Sequence, residues 1–143
     1  MIIREIGQED LAPVVAIEEH QMEDGWSGGM LAPELAMAGS ICLLAEENGQ
    51  VIGYIFCRCV AGEAEVLRLG VVGSHRRQGI GDRLLAAALQ RLDRHGTVAC
   101  FLEVRRSNAG ARRLYGGHGF VDVGLRRHYY RSPVEDGLIM CRR

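Results

Sequence analysis

One short segment constrains this chain more than any other, because a strand pattern turns there directly into a helix pattern. Residues 64–72, AEVLRLGVV, predict a β-strand. Residues 79–95 carry apolar positions at helical spacing and predict an amphipathic helix that ends before a glycine. Gly79 and Gly81 stand at the start of that helix, where glycine weakens helix formation. Their presence indicates that something approaches the backbone closely at this point.

A strand, a tight turn and a helix start together form an anion-binding site. Free backbone N–H groups and the positive end of the helix dipole favour a negatively charged ligand. Glycine removes the Cβ that would block the ligand, and Arg76 and Arg77 add charge-assisted hydrogen bonds. The sequence therefore predicts a phosphate or pyrophosphate ligand. A glycine-containing turn with solvent-facing arginines is the structural alternative for this stretch taken alone.

Two common phosphate motifs do not fit. A P-loop requires lysine, and all 17 basic residues of this 143-residue chain are arginine. The GxGxxG dinucleotide motif fails because Leu84 stands at its third glycine and the segment lies in the middle of the chain. The pattern that remains is [QR]-x-x-G-x-[GA], which the chain satisfies with Arg76-Arg77-Gln78-Gly79-Ile80-Gly81.

The rest of the chain predicts alternating strands and helices in one α/β domain over residues 1–143, with no internal repeat. We expect a mixed sheet of six to seven strands flanked by about four helices. The last two strands are predicted at 120–127 and 136–143, with residues 128–135 (HYYRSPVE) between them. The other strands are expected at 2–6, within a hairpin at 40–60, at 64–72 and at 97–105, and the other helices at 8–22, before residue 39 and at 107–119.

The phosphate motif resembles that of the GCN5-related N-acetyltransferases (GNAT), whose pyrophosphate loop for acetyl-coenzyme A has this pattern at this place. Residues 102–120, LEVRRSNAGARRLYGGHGF, fit a second block of that family, LEVR-x-x-N-x-x-A-x-x-L-Y-x-x-x-G-F. Residues 126–140 and the GWS at 25–27 resemble one subfamily, the bacterial ribosomal-protein-alanine N-acetyltransferases. The resemblance covers nearly the whole chain and implies the GNAT fold.

The resemblance also implies a site for acetyl-coenzyme A. The backbone of residues 69–71 is expected to contact the pantetheine and the thioester carbonyl, in a gap between that strand and the LEVR strand. Asn108 is expected to contact the pantetheine, although a plain helix cap would look the same in sequence. The full set of expected coenzyme-binding residues is Leu69, Gly70, Val71, Arg76, Arg77, Gln78, Gly79, Ile80, Gly81 and Asn108.

Acyl transfer from a thioester to an amine needs a neutral amine, a polarised carbonyl and a proton for the leaving thiolate. At pH 7, deprotonation costs roughly 1.4 kcal/mol for an α-amine and about 4.6 kcal/mol for a lysine amine. A carboxylate base suits the α-amine, and the resemblance assigns that role to Glu103 and the role of acid to Tyr115. The structural alternatives are a Glu103 paired with Arg105 or Arg106, and a Tyr115 that only packs in the core.

For the acceptor peptide, the predicted contacts are Trp26, Ser27, Tyr129 and Tyr130. Aromatic residues and glycines in loops suit a short, flexible N-terminus, although core packing explains Trp26 and at least one of the two tyrosines equally well. The chain departs from the subfamily here, because Gly25 stands where a proline is frequent and Gly116 follows Tyr115 where bulkier helix formers are usual. These departures concern the acceptor pocket and leave the coenzyme motif intact.

Charge is unevenly distributed along the chain. Residues 1–65 hold 12 acidic and 2 basic residues, net −10, and residues 66–143 hold 6 acidic and 15 basic residues, net +9, which sum to −1. The basic half suits a polyanionic ligand and the acidic half a cationic one. A single domain whose halves attract each other would show the same pattern.

Other classes of function are disfavoured by the sequence. The apolar runs are too short for a membrane span, and the acidic N-terminus predicts neither a signal nor a transit peptide, so we expect a cytoplasmic protein. The five cysteines and five histidines show no metal-ligand spacing, so no metal is predicted. Direct nucleic-acid binding is not expected, because the arginines are not interleaved with stacking aromatics outside residues 128–131.

Three hypotheses follow. The first is an enzyme that acetylates the N-terminal α-amine of a protein, of the alanine type, with a ribosomal protein as partner and substrate. The second is an acetyltransferase for a small-molecule amine or a lysine side chain. The third is a module without turnover that binds coenzyme A or RNA, and it would tolerate loss of the Glu103 carboxylate and the Tyr115 hydroxyl.

Overall fold

The structure is a computed structural model, and it describes residues 1–21 and 27–143. Seven strands form one mixed sheet in the order β1-β2-β3-β4-β5-β7-β6. The strands are β1 (Ile2–Glu5), β2 (Ser40–Glu47), β3 (Gln50–Val60), β4 (Glu63–Val71), β5 (Ala99–Arg105), β6 (Val121–Arg131) and β7 (Val134–Arg142). The α-helices are α1 (Leu11–Gln21), α2 (Gly28–Leu31), α3 (Ile80–Arg94) and α4 (Ala109–Gly117), with short 3-10 turns at Gln8–Asp10, Ala32–Ala36 and Gly73–His75.

Two hydrophobic cores cover the two faces of the sheet. On one face α3 and α4 pack against the strands. Helix α3 contributes a buried stripe that includes the fully buried residues Leu84, Leu85 and Leu92. On the other face α1 and α2 cover the N-terminal strands, with Val14 and Leu31 fully buried. The second core involves β2 and β3, so the part of this face formed by β5, β6 and β7 is left without a helix layer from the described residues.

The sheet splits at its centre. Strands β4 and β5 pair in parallel only at their first residues, where Glu63 lies opposite Ala99 and Glu65 opposite Phe101. Beyond Glu65 the edge of β4 that faces β5 has no strand partner among the described residues. Leu67 is the extra residue of a β-bulge, because the β3 register shifts there, and a bulge bends its strand. The split therefore opens directly after a bend in β4.

The C-terminal hairpin corrects one sequence-based prediction. Residues 128–135 were predicted to connect two strands, but β6 runs to Arg131 and β7 begins at Val134. Three residues of β6, 127–129, stand against one residue of β7, and His128 has a positive φ of 51°. A bulge of this kind re-aims side chains without ending the strand. Both Tyr129 and Tyr130 therefore lie in a strand and not in a loop.

Candidate active site

A cleft passes through the split between β4 and β5, and we call it the central cleft. Its volume is about 450 Å³. Side chains and backbone from four elements line it: residues 66–69 of β4, residues 103–105 of β5, the start of α4 with Tyr115, and the turn of the β6–β7 hairpin. The cleft thus brings together segments that are as much as 69 residues apart in the chain, from Val66 to Glu135.

The glycine-rich loop lies at the end of β4, as predicted. Gly79 has φ 79° and is the N-cap residue of α3, and Arg77 also has a positive φ of 64°. No backbone carbonyl of the described residues accepts a hydrogen bond from the N–H groups of residues 77–82. A Cβ on Gly79 would meet nothing within 4 Å. Open space in front of unpaired N–H groups at a helix start fits a pyrophosphate.

The arginines of the loop differ in their surroundings. Arg76 and Arg77 are both exposed, and Nε of Arg76 donates a 3.4 Å hydrogen bond to the carbonyl of Val71. Arg76 is therefore attached to the last residue of β4, beside the loop. Leu69, Gly70 and Val71 pair with β3 on one side, and their other edge faces the split. Leu69 lines the central cleft, whereas Gly70 and Ile80 are buried. A contact between these residues and the coenzyme stays a prediction.

Asn108 caps α4, because its side-chain Oδ1 accepts a 3.1 Å hydrogen bond from the N–H of Ala111. It also lines the central cleft. The helix-cap role, which was an alternative from sequence, is therefore present. A contact between the Asn108 amide and the pantetheine stays a prediction.

The side chain of Glu103 lies on one face of β5, and those of its two sequence neighbours lie on the opposite face. Leu102 and Val104 are buried in the core under α3 and α4, and side chains alternate along a strand. Glu103 lines both the central cleft and a second groove of about 570 Å³, which is bordered by the paired first residues of β4 and by β5. Its Oε1 lies 2.9 Å from Nε of Arg126, and its Oε2 is buried without a hydrogen-bond partner among the described residues. Glu103 therefore pairs with Arg126, and not with Arg105 or Arg106.

Tyr115 approaches the cleft from α4. Its ring packs edge-on against Phe120 with centroids 5.7 Å apart, and the residue is 8% exposed. Tyr115 lines the central cleft together with Glu103. Burial raises the pKa of Tyr115 above its ordinary value, so the phenol keeps its proton at neutral pH. The side chain thus packs in the core and also borders the cleft.

Arg105 joins the β5 strand to the hairpin. Its Nη1 donates to the carbonyl of Pro133 at 2.9 Å and its Nη2 to that of Ser132 at 3.0 Å. Its guanidinium also lies 4.4 Å from the centroid of the Tyr130 ring and forms an ion pair with Glu135. The hairpin turn is therefore held against the strand that carries Glu103.

The predicted acceptor residues are only partly brought together. Tyr130 lines the central cleft, and burial raises its pKa to about 12. Tyr129 is 47% exposed and packs edge-on against Tyr130 with centroids 5.0 Å apart. Ser27 is exposed at the start of α2. Trp26 lies outside the described residues.

Sequence comparisons agree with this geometry. The sequence profile of the Acetyltransferase (GNAT) family matches residues 9–120. The chain belongs to the GNAT acetyltransferase family. It is 33% identical over 143 residues to the [Ribosomal protein bS18]-alanine N-acetyltransferase of Haemophilus influenzae, covering 98% of this chain and 97% of that protein. The protein of the same name from Haemophilus ducreyi is 31% identical over 136 residues, covering 95% of this chain and 92% of that protein.

The fold of this GNAT protein also matches solved structures. The crystal structure of the ribosomal-protein-S18-alanine N-acetyltransferase from Escherichia coli superposes with a TM-score of 0.91 and 29% identity, covering 99% of this chain and 92% of that one. The predicted fold class is therefore confirmed, and the chain is an N-acetyltransferase. Such enzymes use acetyl-coenzyme A as the acetyl donor.

Two further observations bear on other classes of function. Across the described ranges, no helix is long and apolar enough to cross a membrane. No group of three or more metal-ligating side chains occurs within residues 1–21 and 27–143.

Sequence reasoning missed two residues beside Glu103. Arg126 lies in the segment 126–140 that resembles the subfamily, but its ion pair with Glu103 spans 23 positions in the chain and depends on strand register. Gly137 lies opposite Arg105 on the neighbouring strand β7, and Tyr129 packs over it. The sequence held one signal for Gly137, which is a glycine within the predicted strand segment DGLIM at 136–140. Glycine inside a strand often marks a place where other groups approach the backbone closely.

Proposed function

We propose that this GNAT enzyme transfers the acetyl group of acetyl-coenzyme A to the N-terminal α-amine of a protein that begins with alanine. A ribosomal protein of the bS18 type is the proposed substrate, and this assignment rests on the names of the relatives. Glu103 is the proposed base and Tyr115 the proposed acid. The observation that carries the mechanism is that both side chains line one cleft through the split sheet, Glu103 from β5 and Tyr115 from α4.

The transfer proceeds by direct attack. The α-amine nitrogen forms a bond to the thioester carbonyl carbon while Glu103 takes a proton from the amine. The carbon–sulfur bond then breaks, and Tyr115 gives its proton to the departing thiolate. A carboxylate base is adequate for an α-amine, because about 1.4 kcal/mol is needed to deprotonate it at pH 7.

The cysteines support direct attack over an acetyl-cysteine intermediate. A nucleophilic cysteine needs an accessible thiolate. The thiols of Cys42 and Cys100 are buried, and burial raises the pKa of each to about 12. Both thiols are thus protonated at neutral pH, and we expect Cys100→Ala to keep its turnover.

The site has two cavities, the central cleft and the second groove, and this supports assigning one to the coenzyme and the other to the peptide. The coenzyme is proposed to run from the glycine-rich loop along the free edge of β4 into the central cleft. The peptide is proposed to enter from the second groove, which Glu103 also lines. Three carboxylates (Glu63, Glu65 and Glu103) and two arginines (Arg58 and Arg126) line that groove, so its lining carries a net charge of −1, which favours a cationic N-terminus.

Mass spectrometry with defined peptides tests the proposal. One peptide has a free N-terminal alanine and an internal lysine, and its twin carries a blocked N-terminus. We expect a single acetyl group on the α-amine of the first peptide and none on the twin. Glu103→Gln and Tyr115→Phe should each lower kcat by about 10²-fold or more. Acetylation of the lysine in the blocked twin would contradict the proposed acceptor, and full turnover by Glu103→Gln would contradict the proposed base.

A further inference from the structure

The two carboxylate oxygens of Glu103 have different surroundings. Oε1 lies 2.9 Å from Nε of Arg126. Oε2 is buried, and no group of the described residues is hydrogen-bonded to it. The Glu103 side chain retains 19% exposure, and it lines both the central cleft and the second groove. The carboxylate is therefore held beside Arg126 through Oε1 at the wall of the site, while Oε2 is enclosed by the protein.

Arg126 reaches Glu103 across the intervening strand β7. Glu103 lies opposite Ile139, and Arg126 lies opposite Gly137, two residues away on the same strand. Directly opposite residues share a face of the sheet, so the Arg126 side chain must pass over β7 at this point. Gly137 presents no side chain there. A Cβ on Gly137 would lie 3.3 Å from atoms of Tyr129, so the space above the glycine is already used by the hairpin's own side chains.

We propose that Arg126 is a positioning residue for the transfer: its ion pair with Oε1 fixes the Glu103 carboxylate at the wall of the central cleft, where Glu103 takes the proton from the acceptor amine. This inference rests on the proposed function. The 2.9 Å contact joins Nε of the guanidinium to one carboxylate oxygen, so it places a positive charge directly beside Oε1. It lies 5.5 Å from the centroid of the Tyr129 ring, which supports it from the hairpin side.

The other charged and titratable groups near Glu103 determine how the test is read. Glu65 on β4 lines the second groove together with Glu103. Loss of solvation, followed by the charge of Glu103, raises the pKa of Glu65. Arg58 also lines that groove, but it is hydrogen-bonded to Glu34. On β7 the residue directly opposite Glu103 is the apolar Ile139. The groups that face Glu103 directly are Glu65, Arg126, Tyr129 and Tyr130.

Three variants and one control test the inference in the full chain. The variants are Arg126→Gln, Arg126→Lys and Glu65→Gln. The control is Arg127→Gln, because Arg127 is the exposed neighbour and forms no ion pair within the described ranges. The readouts are kcat and KM for the alanine peptide at neutral pH, and the Kd of coenzyme A by calorimetry. Arg126 is 54% exposed, so its loss should leave folding intact.

We expect Arg126→Gln to lower kcat/KM by about tenfold or more, since a base contributes about 10²- to 10⁴-fold and part of that is lost. The loss should fall on kcat more than on the peptide KM, since Glu103 is proposed to act on the reacting amine. Arg126→Lys should recover part of the loss, because it restores the positive charge without the planar guanidinium. Glu65→Gln should lower kcat less than Arg126→Gln does, because Glu65 forms no ion pair with Glu103. The Kd of coenzyme A and the Arg127→Gln enzyme should be unchanged.

Two results would overturn the inference. Arg126→Gln with the wild-type kcat and KM would mean that Arg126 does not position the base. A faster Arg126→Gln enzyme would mean that Arg126 obstructs it. The proposed function has a separate control: if Glu103→Gln loses turnover while Arg126→Gln does not, only the present inference fails. If Glu103→Gln keeps full turnover, the proposed mechanism itself is wrong.

Discussion

Tyr54 donates a 2.6 Å hydrogen bond to Oε1 of Glu18, whose side chain is fully buried. Arg68 donates to Oε2 of the same carboxylate and also lines the central cleft. A single residue of α1 is thus tied to β3 and to the bulged part of β4. Burial, followed by the hydrogen bond to Glu18, raises the pKa of Tyr54 above its ordinary value. This polar cluster holds α1 beside the split in the sheet.

Glu18→Ala is expected to destabilise the protein by about 3 kcal/mol or more, because it removes two charge-assisted hydrogen bonds of about 1.5–3 kcal/mol each. Urea unfolding measures the change. Glu19→Ala is the matched control, since Glu19 is exposed on the same helix and should change stability by no more than about 0.5 kcal/mol. Equal unfolding midpoints for the two variants would show that the buried cluster does not stabilise α1.

Gly79→Ala should weaken coenzyme binding. Gly79 has φ 79°, and alanine in that conformation is strained by about 1–2 kcal/mol. A Cβ would meet no neighbour within 4 Å, so the effect is one of backbone strain. We expect the Kd of coenzyme A to rise about tenfold, as 1.4 kcal/mol corresponds to a factor of ten. Gly73→Ala, in the same loop with open surroundings and no positive φ, is the control. Wild-type affinity in Gly79→Ala would argue against a pyrophosphate site at this loop.

Gly137→Ala should raise KM for the peptide with little effect on coenzyme affinity. A Cβ there would lie 3.3 Å from Cβ and Cδ2 of Tyr129 and from Cε2 of Tyr130, so both rings must move. Steady-state kinetics with varied peptide gives KM, and calorimetry gives the Kd of coenzyme A. Gly116→Ala serves as the control, because a Cβ there meets nothing within 4 Å and alanine is favoured in a helix by up to about 1 kcal/mol. An unchanged peptide KM in Gly137→Ala would remove the two tyrosines from the acceptor site.

Asp10 should make stability depend on pH in the acidic range. Hydrogen bonds from Arg4, at 2.8 and 2.9 Å, lower the pKa of Asp10 below its ordinary value. The ionised form is therefore favoured in the folded state, and its stabilisation is present above the unfolded pKa of about 3.9. It is lost as the pH falls through the lower, folded value.

The Asp10→Asn variant is expected to be less stable than wild type at neutral pH, and the difference should shrink below about pH 4. Thermal unfolding from about pH 2.5 to about pH 7 measures this. Parallel Tm curves for wild type and Asp10→Asn would contradict the assignment, since they would mean that Asp10 has the same pKa in the folded and unfolded chains.

Much of the architecture was predictable because it rests on local patterns. The 3.6-residue period of residues 79–95 and the alternation around the turn at 47–50 are short-range signals, and both elements occur. The glycine motif similarly predicted a loop at the end of β4. The prediction for residues 128–135 was wrong, because bulky aromatics next to a proline read as a connection. Pairing with β7 keeps these residues in a strand, and pairing is not a local property.

The same difference between local signals and long-range contacts applies to the candidate site. Glu103 and Tyr115 were identified from motif spacing, and the structure brings them to one cleft. The ion-pair partner of Glu103 could not be predicted from nearness in sequence, which favoured Arg105 or Arg106. The partner is Arg126, and Arg105 instead donates to the carbonyls of the hairpin turn.

By itself, the sequence determined the order of the elements, the position of the glycine-rich loop, the family and the choice of the two residues proposed for proton transfer. Each of these depends on residues within a few turns of one another or on a family motif. Tertiary structure decided where the sheet splits, which arginine meets Glu103 and where the two tyrosines of the hairpin lie. Those outcomes depend on strand register across β5, β7 and β6, and a register that shifts by one residue turns every side chain to the other face.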